Sequence, residues 1–340
     1  MKINYDHRIS AHCETGVTSG LLRFYGYNYS EPMVFGLSAS LYFVHIPFVN
    51  ILGFPTTAFR PQPGVVFSRL MRLLGFKIHK KTFANKNKAV QQLDSLLEKG
   101  IPTGCVTSTY HLTYLPTEYR YHFNAHNICV VGKEGDDYLV SDPICAEILP
   151  ISSHDLLRAR FAKGSFPPRG KLYWVESLPK KEPDLNKLMR KAILKNCKRM
   201  IHEPGPVPFI GVNAFKYLGN RIPKYPAMYG EKKATLHLVN LLRTLEERGT
   251  GGAGFRFLYA AFLQEAAKIT GISELDDFSQ RLTDIGDHWR VFAMECGRVF
   301  KKRSSENTSY QTIGDLVKEI GKEEELFFRD LEKLIKSQPK

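Results

Sequence analysis

The sequence has few features of a secreted or membrane protein. Its six cysteines are widely spaced and form no C-x-x-C pair, and the opening MKINYDHRISAHCETG carries charges and histidines where a signal peptide needs a continuous apolar run. The most apolar stretch, Met33 to Phe54, is interrupted by glycine, serine, histidine, proline and asparagine, which favours buried strands and turns over a bilayer span. We therefore expect a cytoplasmic protein with reduced thiols.

The chain also lacks the motifs of nucleic-acid-binding proteins. It has no zinc-finger spacing, no RNP-type aromatic motif and no recognition-helix signature beyond charge itself. Its formal net charge of +14 does favour anionic partners, because it raises their local concentration and speeds encounter. An acidic carrier protein or a transient contact with an anionic membrane would fit this charge, and we expect no nucleic acid. Nothing in the sequence predicts the oligomeric state.

Metal-binding and phosphate-binding motifs are incomplete. His122 and His126 in HFNAH are four residues apart, but the glutamate of H-E-x-x-H is missing and no third ligand is evident, so we expect no metal. The glycine-rich GTGGAG, residues 249–254, follows no predicted strand and has no G-K-[ST] ending. It favours a helix-entry turn or a loop at an acceptor site over a phosphate-binding loop.

A length of 340 residues suits two domains. Up to about residue 177, predicted strands mix with short helices such as the one at 88–100, which is an α+β pattern. The proline-rich and charged SLPKKEPD, residues 177–184, predicts a linker, so we place the domains at 1–177 and 178–340. The second domain is predicted to be mostly helical, with helices at 185–201, 231–248, 254–269, 275–302 and 311–336.

The stretch around Cys13 predicts a helix start. Val17, Leu21 and Phe24 have helical spacing and Gly26 is a stop signal, so Cys13 would lie in or just before the first turn. Unpaired backbone N–H groups and the positive end of the helix dipole favour a thiolate there. A thiolate is the form of cysteine that attacks a carbonyl carbon. Taken alone, a cysteine such as Cys13 is more often a small buried apolar residue than a nucleophile.

The segment HNICVVGKEGDDYLVSDP predicts a β-hairpin. A five-residue loop, Lys133 to Asp137, would place Asp142 opposite Ile128, with His126 and Asp142 on one face of the sheet. A four-residue loop would place them on opposite faces, because each one-residue slip inverts the strand. Separately, these residues are also compatible with a structural histidine and an Asp-Pro turn.

The chain order of Cys13, His126 and Asp142 is that of papain-like cysteine enzymes. An aspartate that holds an imidazole selects one tautomer and stabilises the protonated ring, as a base or thiolate partner requires. We therefore predict Cys13 as nucleophile, His126 as base and Asp142 as the group that orients the base.

The sequence resembles the butirosin biosynthesis protein H family, in which a papain-like amino-terminal domain precedes a helical domain. The resemblance lies in HCETG (residues 12–16), SEPMVFGLSASL (30–41), the His126 and Asp142 hairpin, and GGAGFRFLYAAFLQEAA (251–267). It implies an α+β, papain-like cysteine-enzyme domain followed by a mostly α-helical carboxy-terminal domain.

The resemblance also implies an acyltransferase. Such an enzyme takes an acyl group from the phosphopantetheine thioester of an acidic acyl carrier protein and passes it to an amine or hydroxyl of a small acceptor, with no cofactor of its own. A cysteine peptidase or amidase with the same three residues is the alternative, and a catalytically idle binding protein is a third. The matching motifs name five expected substrate-binding residues: His12, Glu14, Glu31, Arg256 and Tyr259. Glu31 could instead cap a helix, which is the commoner role for such a residue.

One position departs from the pattern of the wider superfamily, whose peptidases carry a glutamine six residues before the cysteine to help form the oxyanion hole. His7 occupies that position, and no glutamine precedes Cys13. His7 or His12 could replace the donor, or either could be an ordinary exposed residue, so the oxyanion donor is unassigned. The basic helix at 185–201 is compatible with a solvated surface or with a dock for an anionic carrier.

Overall fold

A computed structural model describes residues 1–51, 53–203, 205, 207–302 and 309–339. The chain divides into two compact units, one built from residues 1–34 and 62–183 and the other from residues 35–61 and 184–340. The predicted domains, 1–177 and 178–340, are contiguous. In the structure, residues 35–61 instead belong to the same unit as the carboxy-terminal helices.

The helices and strands are numbered here along the chain. The helices are α1 (Cys13–Phe24), α2 (Glu31–Leu37), α3 (Val65–Leu73), α4 (Lys86–Glu98), α5 (Ser153–Arg160), α6 (Leu185–Ile201), α7 (Val212–Arg221), α8 (Tyr225–Tyr229), α9 (Glu231–Leu242), α10 (Arg256–Thr270), α11 (Glu274–Phe300) and α12 (Tyr310–Ser337). The strands are β1 (Val44–Ile51), β2 (Phe54–Ala58), β3 (Lys77–Lys81), β4 (Thr103–Thr107), β5 (His126–Glu134), β6 (Asp137–Ser141), β7 (Leu149–Ser152) and β8 (Leu172–Ser177).

The first unit is organised around a six-stranded antiparallel sheet in the order β3-β8-β4-β5-β6-β7. Strand β5 is buried from His126 to Gly132, as expected for a central strand covered on both faces. Helix α1 packs against β5 and is itself buried from Cys13 to Leu22. A helix buried on all sides lies inside the fold, so the thiol-bearing end of α1 is set against the central strand of the sheet.

The hairpin of β5 and β6 corrects the predicted loop. Glu134 pairs with Asp137, so the connecting turn has two residues, and the five-residue loop is wrong. By itself, a turn with an even number of residues would place His126 and Asp142 on opposite faces of the sheet. A bulge, however, inserts Val131 as one extra residue in β5. Beyond the bulge Cys129 pairs with Ser141, which aligns Ile128 with Asp142 as predicted. Two differences from the prediction cancel, and His126 and Asp142 share a face.

The second unit is mostly helical, and its core explains why residues 35–61 belong to it. The ring of Phe43 stacks on Phe215 at 4.1 Å between centroids, and the ring of Phe59 meets Trp289 edge-on at 5.7 Å. These aromatic side chains bury large apolar areas. Their packing makes residues 35–61 part of the second unit's core. The segment's two strands, β1 and β2, pair with each other in a separate sheet.

Most of the predicted carboxy-terminal helices agree with the structure. Helix α6 has the predicted bounds, while α11 and α12 differ from theirs by one or two residues at each end. Helix α10 begins later than predicted because Gly254 and Phe255 both have positive φ, which no α-helical residue adopts. Helices α7 and α8 were not predicted from the sequence. Among the described residues, none of the helices has both the length and the apolar character needed to cross a bilayer.

Candidate active site

Cys13 is the first residue of α1, as the sequence predicts. Its side chain is 8% exposed, and His12 forms the N-cap, with Nδ1 accepting a hydrogen bond from the Thr15 N–H at 3.3 Å. The sulfur therefore lies at the positive end of the helix dipole, beside backbone N–H groups that have no partner within the helix. This setting stabilises a thiolate.

Glu31 holds the backbone that leads into Cys13. One carboxylate oxygen accepts from the Ala11 N–H at 2.9 Å, and the other accepts from the His12 N–H at 2.8 Å and the Thr15 hydroxyl at 2.7 Å. Burial raises the pKa of Glu31, although these three hydrogen bonds oppose the rise. Its own helix, α2, is capped by Ser30, whose hydroxyl accepts from Met33 N–H at 3.1 Å. The described contacts of Glu31 therefore position the start of α1.

We expect Glu31→Ala to lower the free energy of unfolding by about 1.5–3 kcal/mol, because it leaves two backbone donors beside Cys13 without their carboxylate acceptor. Urea unfolding at pH 7 measures the change. Glu182→Ala is the matched control, since the exposed Glu182 carboxylate accepts a long hydrogen bond from the Tyr27 hydroxyl at 3.5 Å. Equal stabilities for the two variants would contradict this positioning role.

Glu14, the residue after Cys13, is fully buried and caps a different helix. Its carboxylate accepts from the Gly64 N–H at 2.9 Å and the Phe67 N–H at 3.2 Å, at the start of α3. Gly64 is the N-cap residue of α3 and has no side chain to satisfy these donors, so Glu14 supplies the missing acceptor. The described bonds of Glu14 thus join α1 to α3, and a substrate contact for His12, Glu14 or Glu31 stays a prediction.

His126 and Asp142 form a buried hydrogen-bonded pair. His126 Nε2 donates to Asp142 Oδ2 at 2.8 Å, and the two side chains are 5% and 1% exposed. Burial alone would lower the pKa of His126, but the charge and hydrogen bond of Asp142, together with contact with Cys13, raise it to about 10. Burial would likewise raise the pKa of Asp142, but the His126 charge and three hydrogen bonds hold it below its usual value.

The direction of these shifts sets the pH range in which the pair stabilises the fold. Because the pKa of His126 is raised, its contribution is complete below the ordinary value of 6.5 and is lost as the pH rises through about 10. The lowered pKa of Asp142 makes its contribution complete above its usual value of 3.8, and this contribution is lost in more acidic solution. The pair is therefore intact at neutral pH.

Tyr114 is a partner of Asp142 that the sequence did not indicate. Its hydroxyl donates to Asp142 Oδ2 at 2.8 Å, while Ile144 N–H donates to Oδ1 at 3.2 Å. Burial, followed by the charge of Asp142, raises the pKa of Tyr114 well above its ordinary value, so the phenol keeps its proton and stays a donor. No motif marks Tyr114, which lies in an irregular segment between β4 and β5.

Two side chains at the start of β5 converge on the Cys13 sulfur. The hydrogen bond and charge of Cys13 contribute to the raised pKa of His126, and Asn127 Nδ2 lies 3.8 Å from Cys13 Sγ. A protonated imidazole beside a sulfur at a helix start favours a thiolate–imidazolium pair. The site thus brings together a thiol, an imidazole and a buried carboxylate.

His7, which occupies the glutamine position of the wider superfamily, is bound to the segment around Asp142. Its Nε2 lies 3.1 Å from the carbonyl oxygen of Cys145, and Nδ1 lies 2.7 Å from the Ser141 hydroxyl. A carbonyl can only accept, so Nε2 donates to Cys145. Both ring nitrogens of His7 are engaged away from Cys13.

Arg256 and Tyr259 lie in the core of the second unit. Arg256 is fully buried and pairs with Glu324 through two contacts of 2.9 Å, and Tyr259 is also fully buried. A substrate contact for either residue stays a prediction. In the described part of the chain, no group of three or more His, Cys, Asp or Glu side chains could hold a metal ion, and the ring of His122 stacks on Tyr110 at 4.1 Å.

Two family models match this sequence. The model described as butirosin biosynthesis protein H, N-terminal, matches residues 12–143, and a model described as a domain of unknown function, DUF4872, matches residues 154–331. The first match contains Cys13, His126 and Asp142. No curated protein matches the chain. Among solved structures, it is similar to a C39-like peptidase from Bacillus anthracis, with 13% identity, a TM-score of 0.38, and coverage of 53% of this chain and 100% of that one.

Proposed function

Because this chain belongs to the butirosin biosynthesis protein H family and has a papain-like cysteine-enzyme fold, we propose that it is a cysteine-dependent acyltransferase. The acyl group comes from the phosphopantetheine thioester of an acyl carrier protein and goes to an amine or hydroxyl of a small acceptor. The observation that carries the proposal is the His126 imidazole, held by Asp142 at 2.8 Å and in contact with Cys13 at the start of α1.

In the first half-reaction the Cys13 thiolate attacks the thioester carbonyl carbon, and a bond forms between that carbon and Sγ. The bond between the carbon and the carrier sulfur then breaks, and His126 transfers its proton to the departing thiolate. The products are acyl-Cys13, neutral His126 and the carrier thiol. A thiolate leaves easily, so this step makes modest demands on the acid.

In the second half-reaction His126 acts as a base. Acylation removes the Cys13 charge, which is one cause of the raised His126 pKa, so the pKa of His126 falls at this stage. His126 then takes the proton of the acceptor amine or hydroxyl as that group attacks the acyl carbon. The carbon–sulfur bond breaks, and the thiolate–imidazolium pair is restored. Asp142 keeps the ring in one orientation throughout.

The charge of the chain supports an anionic carrier as the donor. The formal net charge is +14, and α6 presents the exposed lysines Lys187, Lys191 and Lys198 on the side opposite its buried apolar face. Such a surface raises the encounter rate with an acidic protein and makes that rate dependent on ionic strength.

Intact-mass measurement after mixing with an acylated carrier protein tests the proposal. We expect a mass increase equal to one acyl group, mapped by peptide digestion to Cys13, and its release on adding an amine or hydroxyl acceptor. Rapid loss of the acyl group to water without acceptor would instead indicate hydrolysis by the same residues. A protein that takes no acyl group of any chain length from a carrier protein would contradict the proposed function.

Asp142→Asn tests the orienting role through the pH profile. Without the carboxylate, the main cause that raises the His126 pKa is lost, so the pKa falls and the alkaline limb of the acylation rate moves from about pH 10 to lower pH. We also expect the rate at pH 7 to fall by about 10²- to 10⁴-fold, because the ring loses its fixed tautomer. Stopped-flow acylation across pH measures both effects.

Asp155→Asn is the control for that experiment, since the Asp155 carboxylate lies 3.5 Å from both the His154 ring and the Arg158 guanidinium. In this variant the alkaline limb of the acylation rate should stay at the wild-type pH. An Asp142→Asn profile that superimposes on this control would show that the carboxylate does not set the protonation of His126.

A further inference from the structure

Asn127 directly follows His126 in β5 and has no role in the mechanism above. Its side chain is 2% exposed, and Nδ2 lies 3.8 Å from Cys13 Sγ. No glutamine precedes Cys13, and both ring nitrogens of His7 are bound elsewhere. Asn127 therefore brings a side-chain amide to the Cys13 sulfur.

The hydrogen bonds of Asn127 fix which end of the amide faces the sulfur. Oδ1 accepts from the Tyr173 hydroxyl at 3.0 Å, and Nδ2 donates to the Ala125 carbonyl oxygen at 3.1 Å. The reverse orientation would place Oδ1 against the Ala125 carbonyl oxygen, where two acceptors would repel. Nδ2 carries two hydrogens, so one serves Ala125 and the second is directed to Cys13.

The Tyr173 ring is tightly packed. It lies on β8 opposite Gly104 of β4, and a Cβ atom at Gly104 would come within 2.1 Å of its ring. Only glycine leaves this space. Burial, followed by the charge of Glu14, raises the pKa of Tyr173 well above its ordinary value, so the phenol remains a donor at neutral pH. The amide of Asn127 is thus preorganised before substrate arrives.

A cavity of about 180 Å³ reaches Asn127, and its lining also includes Gly64, Val106, Phe166 and Lys171. Gly64 is the residue bound by Glu14, the neighbour of Cys13. The cavity therefore leaves free space next to the Asn127 amide. A carbonyl carbon bonded to the sulfur can direct its oxygen toward a donor on that side of the sulfur.

We propose that Asn127 is a catalytic residue, whose Nδ2–H donates to the oxyanion formed when Cys13 attacks the acyl carbonyl. The assignment rests on the proposed function. When the Sγ–carbon bond forms, the carbonyl π electrons move to the oxygen, and the amide stabilises this negative charge. When the carbon–leaving-group bond breaks, the electrons return to the carbonyl and the hydrogen bond weakens. No proton leaves Asn127 in either step.

Two probes of the full-length protein separate this role from mere positioning of the thiol. A saturating short-chain acyl thioester of N-acetylcysteamine passes through an oxyanion, whereas alkylation of Cys13 by iodoacetamide does not. We expect Asn127→Ala to slow acylation by about 10²- to 10³-fold, since it removes one oxyanion donor, with the alkylation rate changed less than about threefold. Tyr173→Phe, which removes only the orienting hydroxyl, should slow acylation by about tenfold and spare alkylation.

Acylation of both variants at the wild-type rate would overturn the assignment. An equal fall in acylation and alkylation would also overturn it, because Asn127 would then act on the thiol alone. Tyr173→Phe keeps the experiment decisive if Asn127→Ala does not fold. Wild-type protein that is alkylated at Cys13 but never acylated would refute the proposed function itself, and this assignment with it.

Discussion

Cys13→Ala is expected to abolish the acyl-enzyme and to lower the single-turnover transfer rate by about 10⁴- to 10⁶-fold. The reaction needs a nucleophile that becomes bonded to the acyl carbon, and alanine has none. Other groups of the site, including His126, would remain in place, but no acyl-cysteine would form for the acceptor to attack. Intact mass and quenched-flow transfer from an acylated carrier measure the two effects.

Cys145→Ala is the matched control for the nucleophile. Cys145 is half-buried and follows Asp142 by three residues. Burial and the charge of Asp142 raise the pKa of its thiol to about 12, so it is protonated and unreactive at neutral pH. We expect this variant to keep the wild-type rate and mass shift. A Cys13→Ala protein with full activity would instead indicate that Cys13 is structural.

Arg256→Met is expected to lower the free energy of unfolding by about 3–5 kcal/mol. Arg256 and Glu324 are both fully buried, and Trp289 Nε1 also donates to Glu324 at 2.7 Å. Removing the guanidinium leaves a buried carboxylate without its positive partner. Urea unfolding at pH 7, followed by tryptophan fluorescence, measures the loss.

Arg329→Met is the same substitution at an exposed helical ion pair. Arg329 and Glu325 of α12 are 55% and 43% exposed and one turn apart, so we expect a loss of at most about 1 kcal/mol. Adding Glu324→Leu to Arg256→Met should restore much of the lost stability, since both charges of this buried ion pair are then gone. If Arg256→Met instead unfolds like wild type and weakens acceptor binding, the substrate-binding role expected from the family resemblance would be supported.

The sequence alone determined the features that depend on neighbours along the chain. Helical spacing from Val17 to Phe24 placed Cys13 at a helix start, and α6 followed from its apolar stripe. These two helix predictions succeed because a helix is built from hydrogen bonds and side-chain contacts between residues three and four apart. The hairpin carrying His126 and Asp142 was readable for a similar reason, since its two strands are joined by a short turn.

Only the tertiary structure decided the features that depend on distant residues. A two-residue turn alone would have placed His126 and Asp142 on opposite faces, and the bulge at Val131 reverses this by one residue. Tyr114 and Asn127 carry no local signal, because their partners at the site come from other segments of the chain. Residues 35–61 join the second unit through long-range aromatic packing. Strand register and buried partners are set by packing across the fold, which local sequence patterns do not encode.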